Sequence, residues 1–168
     1  MRMIRPERNG DIEAIRGINL AAFETAAEAN LVDNLRDRGK LIISLVAEED
    51  DALVGHIAFS AINIESHSDV RGVGLRPMAV IPSMQRRAIG SELVLAGLER
   101  CRNLDYHYMV VLGHPQYYPR FGFVSAGNYG IKCFWEVPND VFMILELKPG
   151  ALAGVRGLAQ YQPEFNEV

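Results

Sequence analysis

A chain of 168 residues, 49% hydrophobic and 23% charged, is long enough for one domain with a substantial core. Seventeen Lys and Arg against 21 Asp and Glu leave a net charge of −4, the wrong sign for a general nucleic-acid binder, though a local basic patch still suits one small phosphorylated ligand. With no apolar run of the ~18 residues a membrane span needs, a polar opening from Met1 to Asp11, and two distant cysteines, Cys101 and Cys133, in neither disulfide nor zinc spacing, the expectation is a cytoplasmic protein without membrane, nucleic-acid or metal partners.

No repeat or linker divides the sequence, so residues 1–168 read as a single domain, with 148–168 as a C-terminal extension. Met3 to Pro6 reads as a short strand stopped by proline. Asp11 is placed to cap a helix running to Phe23, with Ile12, Ile15, Ile18, Asn19 and Ala22 along one face. Thr25-Ala26-Ala27-Glu28 has the spacing of a capping box for a second helix, which stops at Gly39. Ser44 to Glu49 and Leu53 to Ile62 form a predicted hairpin around Asp50-Asp51. After a polar loop, Val70 to Val80 resumes as a strand that Pro77 must make irregular.

Ile89 to Asn103 has the clearest helical period, through Ile89, Leu93, Ala96, Gly97 and Cys101. Tyr106 to Leu112 is a buried strand, broken by Gly113-His114-Pro115, and a short helix is expected through Tyr118. Ile131 to Val137 and Val141 to Leu147 suggest a closing pair of strands. Pro149 to Val168 is a tail of weak signals, whose Tyr161 and Phe165 are expected to be exposed and free to pack on this subunit or on another in a homodimer. A β-rich front with a central βαβ unit indicates an α/β or α+β fold.

The segment from Leu75 to Ser91 carries the chemistry. It is an irregular strand, a basic turn and the start of a long helix, where unpaired amides and the positive end of the helix dipole bind phosphate. Arg86 and Arg87 add charge, and Gly90 lets a ligand approach the backbone. An ordinary strand, loop and helix with a solvated turn explains these residues equally well. Neither G-x-G-x-x-G nor a phosphate loop ending in G-K-[ST] is present.

Met78 to Ser91 nevertheless resembles the acetyl-CoA-binding motif of the GNAT acetyltransferase superfamily, Q/R-x-x-G-x-G/A, with Gln85, Arg86, Arg87, Ala88, Ile89 and Gly90 in its six positions. Ala88 departs from the pattern, standing where the motif has its first glycine. Tyr117-Tyr118-Pro119-Arg120-Phe121-Gly122-Phe123 resembles the aromatic-Tyr-x-x-x-Gly-Phe segment of the same superfamily. The run Val110 to Phe123, with the tail Leu147 to Leu152, is similar to its YhbS-like branch.

The resemblance implies a mixed, mostly antiparallel sheet of about six or seven strands, splayed between the fourth and fifth, with helices on both faces. It implies acetyl-CoA as cosubstrate, contacted by Met78, Ala79 and Val80 on the splayed strand and by Gln85 to Ser91 at the helix start. It also implies an amine acceptor attacking directly in a ternary complex, with the backbone N–H near Met78 polarising the acetyl carbonyl. Tyr118 matches the tyrosine that donates a proton to the leaving thiolate, the other reading being a ring packed on the cofactor arm. His114 is a candidate base for the amine or a plain turn histidine. His56 is expected to be structural, and both cysteines to be core residues rather than nucleophiles. The alternative is a domain that binds acetyl-CoA without catalysis and acts as a sensor.

Overall fold

β1 (Arg2–Pro6) ends at its proline and runs antiparallel to β2 (Leu41–Glu49), with Arg2 opposite Glu49 and Pro6 opposite Leu45. β3 (Ala52–Ile64) follows through Asp50 and Asp51, which take φ of 51° and 66°; two left-handed residues make the type I′ turn of a tight hairpin. The computed structural model describes residues 1–168 and divides them into two units. The first comprises Met1–Phe59, Pro77–Glu99 and Pro163–Val168, and the second Ser60–Arg76 and Arg100–Gln162. β3 and β4 (Gly72–Val80) run through both.

In the first unit the strand order is β1-β2-β3-β4, with α1 (Ile12–Ala22), α2 (Ala27–Asp37) and the start of α3 (Ile89–Asn103) around it. On β2, Val46 clusters with Ile15 of α1 and Val32 of α2. Its neighbour Ala47 lies on the side where Gly55 of β3 meets α3: a Cβ on Gly55 would sit 3.1 Å from the Ile89 and Leu93 side chains. Adjacent strand residues point to opposite faces, so α1 and α2 cover one face and α3 the other. Gly97 is what lets α3 lie close, since a Cβ there would stand 2.3 Å from the Phe59 ring.

Two capping expectations are corrected. Asp11 precedes α1 but does not cap it; its carboxylate accepts from the Arg5 guanidinium (2.7 and 3.1 Å) and from the Arg8 N–H (2.7 Å). With both oxygens held by the Arg5 fork and one also by the Arg8 amide, the carboxylate does not turn to the first amides of α1. α2 begins one residue later than the capping box requires. Thr25 Oγ1 accepts from the Ala27 N–H at 3.3 Å, and no reciprocal bond from Glu28 forms.

His56 is structural, as expected. It is fully buried on the α1 and α2 face. The Asn19 amide nitrogen donates to Ile15 O (3.1 Å) and approaches His56 Nδ1 (3.3 Å), while Ser44 Oγ lies 2.8 Å from Nε2. Ser44 Oγ in turn donates to Glu7, whose carboxylate takes two bonds from Arg36 (2.8 and 2.9 Å). A donor at Nδ1 and a hydroxyl committed to Glu7 leave Nε2 to carry the proton. Burial pushes the imidazole down to about 4 and keeps it neutral.

In the second unit the order is β4-β5-β8-β6. β5 (Tyr108–Leu112) is parallel to β4, with Gly72 opposite Tyr108 and Leu75 opposite Val111, and the register ends there. β8 (Phe142–Glu146) is antiparallel to β5 on one edge and to β6 (Val124–Ser125) on the other. The expected closing pair is therefore corrected. With both edges of β8 taken, β7 (Ile131–Cys133) pairs instead with β9 (Gly157–Gln160), a parallel strand from the tail that also adds to β3. Seven strands lie on the main path, and β7 and β9 lie off it.

Nor are the tail aromatics exposed. The Tyr161 ring packs on Trp135 at 4.9 Å, within the second unit. Phe165, in the first unit, is 5% exposed. Its neighbour Glu164, 1% exposed, accepts from Arg38 and Lys40, both at 3.0 Å. Burial alone would raise the Glu164 carboxyl, but the two cations outweigh it and hold it below the ordinary range.

Candidate active site

The first unit holds the strand end and the loop. Along β4, Ala79 is buried while Met78 and Val80 are half-buried, so it is Ala79 whose side chain packs into the core. The Ile81 N–H donates to Val54 O of β3 (3.0 Å). Strand alternation then turns the Val80 and Met78 amides toward the opposite edge of β4. A single 3₁₀ turn, Pro82–Met84, follows, and the Gln85 side chain returns to donate to Val80 O at 3.0 Å, closing the base of the loop.

Arg86 and Ala88 both stand at positive φ, 64° and 65°. Left-handed residues in a turn make neighbouring amides converge into a concave nest for an anion. Ile89 is buried at 1% exposure and anchors the helix. The first amide to bond back from α3 is that of Glu92, to Ala88 O (3.0 Å), so those from Arg86 to Gly90 precede the helical ladder. Gln85, Arg86, Arg87 and Ala88 are exposed around this nest, and Gly90 and Ser91 are half-buried beside it. The residues fit a pyrophosphate.

Ala88 makes a test possible. A left-handed alanine costs ~1 kcal/mol relative to glycine, so Ala88→Gly is expected to raise the melting temperature by ~2–4 °C. It should also tighten acetyl-CoA binding a few-fold by removing a methyl from the nest. Differential scanning fluorimetry and calorimetry on the same preparation check both.

Tyr118 and His114 come together in the second unit. β5 ends at Leu112, and the Gly113 N–H donates to Val141 O (3.0 Å). The His114 carbonyl accepts from the Tyr117 and Tyr118 amides (3.0 and 3.4 Å), starting the turn Tyr118–Phe121. The His114 side chain is exposed. Tyr118 is 6% exposed, with its ring edge-on to Tyr117 (5.1 Å) and to Phe123 (5.7 Å). In the sequence Gly113 reads as a strand breaker. It is also the slot for the Tyr118 ring, because a Cβ there would lie 2.3 Å from Cε2. The signal was a glycine five residues ahead of a tyrosine that must lie back over it.

Burial, with Tyr117 adding to it, pushes the Tyr118 hydroxyl up to about 12. Burial likewise pushes the Cys101 thiol up to about 12 and raises that of Cys133. Both cysteines are free, Cys101 fully buried and Cys133 half-buried, and neither is poised as a thiolate.

A model of the acetyltransferase (GNAT) family matches residues 12–123. The N-acetyltransferase YhbS of Escherichia coli K12 is 35% identical over 165 residues, 98% of each chain. The chain belongs to the GNAT acetyltransferase family.

Two GNAT structures are similar over 98% of this chain. The complex of E. coli YhbS with CoA superposes with a TM-score of 0.94 at 35% identity, with 92% of that chain covered. A GNAT family acetyltransferase from Brucella melitensis in complex with acetyl-CoA gives 0.82 at 33%, with 98% covered. Within the GNAT frame, β4 and β5 are the splayed pair, their shared register ending at Leu75. No helix is long and apolar enough to cross a membrane, and no group of three or more His, Cys, Asp or Glu side chains gathers as a metal site.

Proposed function

We propose that the chain binds acetyl-CoA and transfers the acetyl group to a primary amine, of a small molecule or a protein, by direct attack in a ternary complex. The observation that carries this reading is the anion nest at Arg86 and Ala88, opening onto the first amides of α3. The relatives crystallised with CoA and acetyl-CoA support it.

Gln85 to Ser91 hold the pyrophosphate, with Arg86 and Arg87 adding charge. Met78, Ala79 and Val80 offer their backbone to the pantetheine arm as an added strand, and the Met78 N–H polarises the acetyl carbonyl. The neutral amine forms the new C–N bond, the C–S bond breaks, the thiolate leaves, and the proton that the nitrogen sheds in becoming an amide passes to water. His114 takes the ammonium proton, directly or through water. Tyr118 meets the thiolate with its hydroxyl. A phenol near 12 is a weaker acid than a thiol of ~8.5, so Tyr118 acts first as a hydrogen-bond donor to the departing sulfur.

Initial rates of CoA release, measured across a panel of amines, test the reading. Amine-dependent turnover with intersecting double-reciprocal lines is expected. The folded Cys101→Ala/Cys133→Ala variant should retain most of it. Parallel lines, or a dead double variant that still folds, would replace direct attack with an acetyl-cysteine route.

A further inference from the structure

We propose that Arg2 is a positioning residue for the cofactor loop: its guanidinium holds the Arg87 carbonyl, and with it the left-handed turn from Arg86 to Ala88, in the form that receives the pyrophosphate. The inference rests on the cofactor site proposed above.

Arg2 stands at the start of β1, some 85 residues away in sequence from the loop it touches. Its Nη1 donates to Arg87 O at 3.3 Å and to the Glu92 carboxylate, while Nε pairs with Glu49 at 3.4 Å. The side chain is 21% exposed, so the fork is held rather than waving in solvent. Arg87 is the residue between the two at positive φ. Neither Arg86 nor Ala88 is glycine, and such a backbone persists only where its surroundings over-determine it. Gln85 fixes the loop on one side, through Val80 O, and the Glu92 amide fixes it on the other, through Ala88 O. Arg2 supplies the bond at the middle.

The choice of arginine follows from the geometry. One planar fork reaches a carbonyl and two carboxylates at once, which a lysine ammonium on a flexible stem does not. Glu92, in the first turn of α3, suits the helix dipole but opposes an arriving pyrophosphate, and pairing with Arg2 offsets that charge. A glycine at the motif's first glycine position would adopt the left-handed turn without such a brace. This chain, with Ala88 there, needs one.

The test is CoA binding by calorimetry on the full chain. Arg2→Met is expected to raise Kd ~10-fold, the worth of one charge-assisted hydrogen bond, with the loss falling on Kd and the KM for acetyl-CoA rather than on kcat. Adding Ala88→Gly should restore most of the affinity, by a larger factor than Ala88→Gly gives in the chain that keeps Arg2, because glycine adopts the left-handed turn without a brace, whereas adding Glu92→Gln should not. Arg2→Lys keeps the charge, loses the fork and carries the same rescue test should the Met variant fail to fold. Unchanged affinity in both Arg2 variants overturns the inference. So does rescue by Glu92→Gln without rescue by Ala88→Gly, which would reduce Arg2 to charge compensation. A bulky residue at Gly90 separates the two levels: if it too leaves CoA affinity intact, the cofactor site itself is wrong, and if it abolishes binding while the Arg2 variants bind normally, only the role of Arg2 falls.

Discussion

Tyr118→Phe is expected to lower kcat by ~10²-fold while leaving acetyl-CoA affinity nearly unchanged. The substitution keeps the ring, and with it the edge contacts to Tyr117 and Phe123, and removes only the hydroxyl. About 2.7 kcal/mol of transition-state stabilisation is thereby assigned to one donor facing a developing thiolate. Burial sharpens the pH side of the expectation. With the phenol pushed up to about 12, Tyr118 stays protonated across the assay range, so any alkaline fall in rate below pH ~10 belongs to another group. The variant should lower the whole profile without changing its shape. Gly113→Ala attacks the same ring from behind, since its Cβ would displace Cε2, and should cost kcat comparably in a protein that still binds CoA. If Tyr118→Phe keeps kcat within a few-fold and loses affinity instead, the hydroxyl is a binding group, and water rather than Tyr118 donates to the departing sulfur.

What the sequence made legible was local. α3 runs from Ile89 to Asn103 as its apolar period predicts, and the Asp50-Asp51 hairpin and the Pro77 strand stand where turn chemistry puts them. What it hid was competition. Nothing in Ile131 to Val137 says that β5 and β6 already occupy both edges of β8, so the partner of β7 was found only with β9, in a tail whose sequence carries little signal. Asp11 looked like a cap because local spacing cannot show that Arg5 claims its carboxylate. The cofactor loop was legible as a motif but not as a conformation. In the sequence Ala88 is only a departure from the motif, whereas its φ of 65° shows that the backbone keeps the glycine geometry without the glycine. Arg2 had no sequence signal at all, because its partners lie far along the chain and only the fold brings them together.

A tryptophan at Gly90 should separate binding from folding more cleanly than any other change in the loop. Gly90 is the second residue of α3 and half-buried, and its neighbour Ile89 is buried against Gly55 of β3, so closely that a Cβ added to that glycine would stand 3.1 Å from the Ile89 side chain. The helix start therefore cannot retreat to accommodate bulk, and a large side chain must project beside the amides that meet the pyrophosphate. Replacing glycine within a helix gains propensity, so the melting temperature should hold or rise. CoA affinity should nonetheless fall by ~10²-fold or more, because the backbone amides are no longer reachable and no side chain replaces them. Turnover at limiting acetyl-CoA should fall in the same ratio. A folded Gly90→Trp protein that binds CoA as tightly as the native chain would place the cofactor away from the start of α3, and would remove the nest at Arg86 and Ala88 as the reason for that backbone geometry.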